Sequence, residues 1–387
     1  MTFIKIIFWI SGFIIFWANI GYPLSMLIIG KVIHKKNKID TKYEPTVTLM
    51  IVAHNEEKVI KEKLENAIKL DYPKEKLKVL ISSDNSTDKT NDIIKEFIET
   101  NMDRDITLYQ TRERRGKTNA QNEASKLVDT EILVMTDANS ILDKKAIKEI
   151  VSSFTGNNIA YVTGRLCYTN SNKNETSNSE NLYWDLDTKI RDIESRLQTI
   201  TAGNGALYAC RTKDYYCFDP IKCHDSSMPL YYALNGKRAI ANQNAIAYEK
   251  AGENIKDEFK RKVRMSRIVL HSILPDIRIL NIFKYKWFSY FYFGHRSCRY
   301  MLWSSHILLL ISNILLCGNN NTFYVSTLIG QIIIYLLAIL KGLTKIDNKI
   351  LNISYYYCAT IIAQTIGVYN TITGKTKPFW EKAESTR

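Results

Sequence analysis

Long apolar runs stand at the two ends of the chain, and the charged residues gather between them. Residues 3–30 are almost wholly apolar, with Lys5 the one charge, and Gly21, Tyr22 and Pro23 interrupt the run without ending it. About 20 apolar residues cross a hydrocarbon core, so this run predicts a membrane helix. A cleaved signal peptide is the rival, but the run is longer than such peptides use and no small-residue cleavage site follows. The basic cluster Lys31, Lys35, Lys36 and Lys38 should stay in the cytosol, which places the amino terminus outside.

From residue 46 the pattern shortens and alternates. Residues 46–53 read as a strand ending in His54-Asn55-Glu56-Glu57, with a helix following to about residue 70. A second strand, 76–83, ends in Ser83-Asp84-Asn85-Ser86-Thr87-Asp88, and a helix over 89–99 follows it. A strand over 106–110, a helix over 119–127 and an apolar strand over 132–135 continue the series. Strands alternating with helices predict parallel pairing and a doubly wound α/β sheet. Ligands of such sheets sit beyond the carboxyl ends of the strands, where the polar residues collect here.

Further on, the exposed stretch 171–180 precedes a helical pattern over 182–197 carrying Tyr183, Trp184 and Arg191. These aromatic and basic residues can stack on and hydrogen-bond a sugar chain, or Trp184 can serve the core. Residues 201–209 read as a strand whose small residues, Gly203 among them, let a ligand approach the backbone. A helix over 226–234, a strand over 245–250 and a basic helix over 254–273 close the domain. After it, 276–295 mixes aromatics with Lys and Arg and reads as an interfacial helix. Runs 301–317 and 322–340 predict two crossings joined by an outside turn at 318–321. The run 351–373 is apolar but holds Ser, Gln, Asn and Thr; a full crossing there puts the basic tail outside, against the positive-inside rule. It re-enters, packs flat, or breaks that rule. The expected organisation is an anchor (1–30), a basic linker (31–45), a cytosolic domain (46–273), an interfacial region (274–298), membrane helices (299–373) and a basic tail (374–387).

Composition changes this picture little. The net charge of +14 fits nucleic acid, an anionic membrane surface or a phosphate-bearing substrate. Nucleic-acid binding needs a basic groove with exposed aromatics, and the aromatics here cluster with the membrane segments, so no nucleic-acid partner is expected. The seven cysteines are an odd number without a CxxC, which indicates neither a disulfide framework nor a zinc site.

Candidate chemistry begins at Asp137 and Asn139, which follow an apolar strand and offer two hard oxygens on one side. That suits Mg²⁺ or Mn²⁺ bridging phosphates, although Asp and Asn are also ordinary turn residues. Gly116-Lys117-Thr118 matches the end of a nucleotide-triphosphatase loop, but Thr111 stands where that motif needs its first glycine. Lys117, just before a helix, can still lend charge to a diphosphate. Arg261 and Arg264 on the basic helix suit a leaving diphosphate because their forks fit phosphate oxygens. A basic face on anionic lipid is the alternative, and one helix can serve both, with Arg264 inward and Lys260 or Lys262 outward.

Four of these stretches, the strand ending at His54-Asn55-Glu56-Glu57, the 83–88 turn, Gly116-Lys117 and Thr136-Asp137-Ala138-Asn139, resemble in order and spacing the nucleotide-binding half of family 2 glycosyltransferases. The likeness continues through Tyr183-Trp184, 203–211, 225–230 and 259–265. It implies a GT-A type doubly wound mixed sheet, with Glu56 and Asp84 contacting uridine, Lys117 near the diphosphate and Asp137 on the metal. Asn139 replaces the usual second aspartate, so it binds the metal weakly, binds through water, or orients the sugar. Gly203 lies in the segment set against the donor sugar and, with Tyr183 and Trp184, is expected to border the acceptor. His224-Asp225 matches the family's acidic dyad, which makes Asp225 the general base of an inverting transfer; capping the helix is its other reading. Of the Gln-x-x-Arg-Trp motif of polymerising synthases only Arg264 matches, which favours limited processivity. The expected protein is a membrane-anchored transferase using a UDP-sugar, Mg²⁺ or Mn²⁺, and a glycan or lipid-linked acceptor at the cytosolic face of the bilayer. A non-catalytic scaffold on a degenerate transferase fold is the rival, motivated by Asn139, His224 and Met265.

Overall fold

The computed structural model describes residues 1–169, 175–250, 255–318, 321–344, 346, 348–376 and 378–379, and within 175–184 and 255–258 the backbone alone. Eight strands form one sheet in the order β3-β2-β1-β4-β7-β6-β8-β5. They are β1 (Val47–Ala53), β2 (Leu77–Ser83), β3 (Ile106–Gln110), β4 (Ile132–Asp137), β5 (Ile141–Leu142), β6 (Ile159–Tyr168), β7 (Tyr208–Arg211) and β8 (Arg238–Glu249). β1 to β4 pair parallel, as alternation predicts, and β7 then runs antiparallel to both β4 and β6. The sheet is therefore mixed. Strand pairing in 201–209 begins only at Tyr208, later than expected, and β6 was not anticipated.

All seven residues of β1 are buried because helices cover both faces of the sheet. The helices are α1 (Thr2–Phe16), α2 (Tyr22–Val32), α3 (Ile60–Ile68), α4 (Thr90–Thr100), α5 (Lys117–Ser125), α6 (Ala146–Ser152), α7 (Glu175–Leu197), α8 (His224–Leu234) and α9 (Ile255–Met265). Leu49, Ile51 and Val134 pack towards Ile60, Leu64 and Ile94, and on the other face Met50, Leu133 and Met135 meet Ala124, Met228 and Tyr232. The period of two along β1 and β4 thus serves two cores at once.

Among the described residues two helices are by themselves long and apolar enough to cross a membrane, Thr2–Val32 and Thr322–Leu343. The first joins α1 and α2 through a π-helical turn at Trp17–Gly21. Helix Leu302–Cys317 has only 16 residues and reaches that length only together with Trp287–Tyr300, from which it bends by 62°. Of the two expected carboxy-terminal crossings, 322–340 thus lies in a helix that is long enough alone, and 301–317 in one that is long enough only as part of this bent pair. α2, the second half of the amino-terminal apolar run, reaches the domain, where Tyr22 and Met26 pack with Ile190 and Ile193 of α7.

A buried polar network fastens this junction. Tyr22 Oη donates to Glu194 Oε1 at 2.6 Å, and His295 lies between that oxygen (2.7 Å) and Asp187 Oδ1 (2.9 Å). Arg191 pairs with Asp187 at 2.7 Å and donates to the Gly203 carbonyl at 2.9 Å. The membrane segments are thereby tied to the loop beside the site.

Helix Lys349–Ile372 packs on helices Leu302–Cys317 and Thr322–Leu343 and on α9. Tyr357 Oη meets His306 at 2.8 Å, Lys262 Nζ donates to Thr360 at 2.8 Å, and Thr371 donates to the Arg267 carbonyl at 3.1 Å. Arg267 also donates to the Pro378 carbonyl at 3.3 Å, and Arg114 stacks on the Phe379 ring at 4.8 Å. Residues 378 and 379 thus lie against the same body that carries the sheet. The rest of the tail, 380–387, lies outside the described residues.

Candidate active site

Strand register brings the polar strand ends level. Ala53 pairs with Ser83 and Val52 with Asp137, so β2, β1 and β4 stop side by side and release their polar residues onto one rim. Asn55 and Asn85 take positive φ, 54° and 52°, which asparagine tolerates better than most residues. The turns then bind each other: Asn55 Oδ1 accepts from the Thr87 amide at 2.7 Å, and His54 Nδ1 lies 2.7 Å from the Asp84 carbonyl. Glu56 is 6% exposed, with its amide donating to Thr90 Oγ1 at 2.7 Å. Asp84 is 3% exposed, and its two oxygens accept from the amides of Arg115 (3.1 Å) and Gly116 (2.8 Å). The carboxylate, which the resemblance sets against uridine, thus also holds the loop that opens α5. Gly116 has φ 93°, a backbone that an L side chain resists, and this turn swings Lys117 towards the end of β4.

Lys117 Nζ donates to Asp137 Oδ1, and both side chains remain partly exposed. A Cβ placed on Gly205 would lie 3.1 Å from Lys117 Nζ, 3.4 Å from Asp137 Oδ2 and 3.9 Å from Asp225 Oδ2. Residues 117, 137, 205 and 225, far apart in sequence, therefore surround one point. Burial opposes the charge on Lys117, yet Asp137 and Asp225 outweigh it and hold its pKa above the ordinary lysine value. The Asp225 pKa is raised as well, here with burial as the leading cause. Lys117 pulls it down, and Asp137 pushes it up again, with a net rise.

Asp225 is the second residue of α8, and the capping position belongs to Cys223, which makes no side-chain cap. The helix-capping reading of Asp225 is thus set aside. Its carbonyl accepts from the Gly203 amide at 2.8 Å. His224 points away from the cleft: Nδ1 meets Gln121 Oε1 and Nε2 meets Tyr215 Oη, each at 2.9 Å. Burial, with Lys117 adding to it, lowers the His224 pKa to about 3, so the ring is neutral. Because Gln121 spends its amide NH₂ on Tyr208 Oη at 2.8 Å, its oxygen is left to accept and the proton sits on Nδ1. The residue that replaces the dyad's first carboxylate is therefore part of the scaffold under α8.

Asp137 and Asn139 are the hard-oxygen donors of the rim. Asn139 is partly exposed, two residues beyond Asp137 at the end of β4. Among the described residues no three His, Cys, Asp or Glu side chains cluster to hold a metal on their own. The donor set fits Mg²⁺ or Mn²⁺ in the manner usual for those ions, with few protein ligands and the remainder from water and phosphate.

The basic wall comes from α9. Arg264 is lowered to about 10, by burial first and then by repulsion from Arg261 and Arg267, so three guanidiniums crowd one region. The expected helix over 254–273 is broken at Ser266, where Gly367 of helix Lys349–Ile372 comes close enough that a Cβ would sit 2.5 Å from Ser266 Cβ. Of Lys260 and Lys262, either of which the lipid reading turns outward, Lys262 has its ammonium 3.3 Å from the Tyr356 ring centroid. Lys260 is exposed.

Two glycines divide the roles expected of one. Gly203 packs on Tyr161, whose Oη would be 1.9 Å from an added Cβ, whereas Gly205 faces the cleft. Gly203→Ala is expected to cost about 2 kcal/mol of stability, an overpacking effect. Gly205→Ala should leave the melting temperature nearly unchanged and raise the donor KM, because the atoms nearest its Cβ are the end of the Lys117 side chain and the carboxylates of Asp137 and Asp225. Thermal melts and donor titrations of the two variants check this. The side chains of Tyr183 and Trp184 lie outside the described residues, so their expected place at the acceptor has no side-chain geometry here. Gly205 and Glu249 were not singled out from sequence; Glu249 accepts from Ser140 Oγ beside the rim, and burial with Asp137 raises its pKa.

Comparison with known proteins bears on the family and the fold. The profile described as "Glycosyl transferase family 2" matches residues 48–217. A probable glycosyltransferase, YdaM, of Bacillus subtilis (strain 168) is 32% identical over 108 residues, 28% of this chain and 26% of that protein. Poly-beta-1,6-N-acetyl-D-glucosamine synthase of Staphylococcus aureus (strain COL) is 30% identical over 150 residues, 38% of this chain and 33% of that protein. The matched segment thus spans between a quarter and a third of those relatives' length. Among solved structures, the mannosyltransferase PcManGT from Pyrobaculum calidifontis in complex with GDP-Man and Mn²⁺ superposes with a TM-score of 0.71, covering 96% of this chain and 99% of that one at 19% identity. That likeness concerns the fold. Residues 48–217 thus form a family 2 glycosyltransferase domain, set on a sheet of the GT-A fold, with relatives in polysaccharide synthesis.

Proposed function

We propose that the protein is a membrane-anchored inverting glycosyltransferase, taking a sugar from a UDP-sugar at the cytosolic face and passing it to a glycan or lipid-linked acceptor of the cell surface. The observation that carries this reading is the meeting of Lys117, Asp137 and Asp225 around Gly205. The polysaccharide synthase among the relatives supports a surface glycan, and the Mn²⁺ and nucleotide sugar named with PcManGT support a metal-dependent donor. The apolar helices Thr2–Val32 and Thr322–Leu343, with the basic cluster after the first, support the anchor and its orientation.

In this reading the donor diphosphate lies between Lys117 and the arginines of α9, with its nucleoside towards Glu56 and the loop held by Asp84. Asp137 and Asn139 would hold a divalent cation, which supplies positive charge to the diphosphate as it leaves. Asp225 accepts the proton of the acceptor hydroxyl while that oxygen bonds to the anomeric carbon. The bond from that carbon to the diphosphate oxygen breaks on the opposite face, and nucleoside diphosphate departs. Lys117, Arg261 and Arg264 offset the charge that develops on it.

Isolated membranes incubated with radiolabelled UDP-sugars and GDP-mannose test this. Label carried into lipid or polymer from one UDP-sugar, in the presence of Mg²⁺ or Mn²⁺, is the expected result. Transfer from GDP-mannose alone would overturn the donor assignment, and no transfer from any donor would favour the scaffold reading.

A further inference from the structure

Lys63 of α3 is the lysine that the fold buries completely, at 0% exposure among the described residues. Its ammonium lies under the end of β4, donating to Thr136 Oγ1 at 3.0 Å and to the Ser140 carbonyl. Those acceptors are the first and last residues of the five-residue turn that carries Asp137 and Asn139. The Thr136 hydroxyl donates onward to the Ala206 carbonyl at 2.7 Å, next to Gly205, and the Ser140 hydroxyl is held by Glu249. One nitrogen therefore connects α3, both ends of the turn and the opposite wall of the cleft.

The arrangement is expensive for the core. Both direct acceptors are uncharged, and burial lowers the ammonium to about 7 even though Asp137 and Glu249 pull the other way through space. A buried ammonium without a contacting carboxylate is disfavoured, and α3 buries Ile60, Leu64 and Ala67 alongside it, where an apolar side chain would pack at less cost. Core packing does not explain the residue. What the nitrogen holds does.

We infer that Lys63 is a positioning residue for the divalent cation, clamping the turn from Thr136 to Ser140 so that Asp137 and Asn139 present their oxygens together. The inference rests on the metal-dependent reading above. Its sign is informative. If Lys63 acted only as a nearby positive charge, removing it would strengthen cation binding; if it acts as a clamp, removing it weakens binding, and partners outside the ligand set commonly account for 10- to 100-fold in metal affinity.

The test is titration of the purified full-length protein with Mn²⁺ in the presence of UDP, following free Mn²⁺ by electron paramagnetic resonance. The wild type should bind, and Lys63→Met should bind about tenfold or more weakly. The apparent KM for Mn²⁺ should rise by a similar factor while kcat at saturating metal changes little, a split that general loss of structure would not give. Thr136→Val, which removes one acceptor and keeps the lysine, covers the case in which Lys63→Met does not fold; it should weaken binding several-fold, and Thr136→Ser should restore it. Unchanged or tighter Mn²⁺ binding in Lys63→Met, or in Thr136→Val when only that variant folds, overturns the clamp. Failure of the wild type to bind Mn²⁺ would instead overturn the metal-dependent reading itself.

Discussion

Asp225→Asn should abolish sugar transfer while leaving donor binding intact. The substitution keeps the size of the side chain and its place in the first turn of α8, so the backbone bond from Gly203 to residue 225 is undisturbed. What disappears is the proton acceptor. Positioned general bases contribute about 10²- to 10⁴-fold, so a fall of about 10³ in kcat is expected, equivalent to about 4 kcal/mol of barrier. UDP binding in the presence of Mn²⁺, measured by calorimetry, should stay within about threefold because the amide does not remove the diphosphate contacts. The wild-type pH profile gives a second readout. Burial and Asp137 raise the Asp225 pKa, Lys117 notwithstanding, so the carboxyl is protonated and inactive as a base below a pKa higher than an ordinary carboxylate's. Activity should climb as pH rises through that raised value. An acid limb at the ordinary carboxylate position would contradict the assignment.

Asp137→Ala should be nearly as damaging, by a different route. Asp137 is both the acidic donor of the rim and the partner of Lys117. Without it the cation has only the amide of Asn139 on this turn, and we expect transfer to fall by at least about a hundredfold, the scale on which bound cations stabilise transition-state charge. Donor binding should lose its dependence on Mn²⁺, in contrast with Asp225→Asn, where that dependence stays. The fold should tolerate the change, since Asp137 and Lys117 are both part-exposed, at 31% and 21%, and pairs of that kind contribute little to stability. A melting temperature within a few degrees of wild type, together with metal-independent UDP binding, is the expected pair of results. Persistence of Mn²⁺-dependent binding would show that the cation sits elsewhere.

The rim of the site was legible because its chemistry is local. Each of β1, β2 and β4 ends in its own polar residues, and once parallel pairing is assumed, Glu56, Asp84 and Asp137 must emerge on the same edge. What the sequence left open depends on contacts across the chain. Gly203 and Gly205 look equivalent in a run of small residues, and only the position of Tyr161 against one and of Lys117 against the other separates them. His224 reads as a lost carboxylate until Gln121 and Tyr215 are found on its two nitrogens. The basic helix reads as continuous over 254–273, since the helix that crosses it at Ser266 begins more than 80 residues later. Lys63 reads as one more charge on a surface helix, because its acceptors Thr136 and Ser140 are more than 70 residues away.

The central claim is that a nucleotide sugar and its cation bind where β1, β2 and β4 end, between Asp137 and Asp225. Anomalous diffraction at the manganese edge, from crystals of the full-length protein grown with UDP and Mn²⁺, tests it most directly. A single strong peak beside Asp137 and Asn139, with the diphosphate against Lys117, is the predicted result. A manganese peak on another surface, or UDP bound away from these strand ends, would contradict the account.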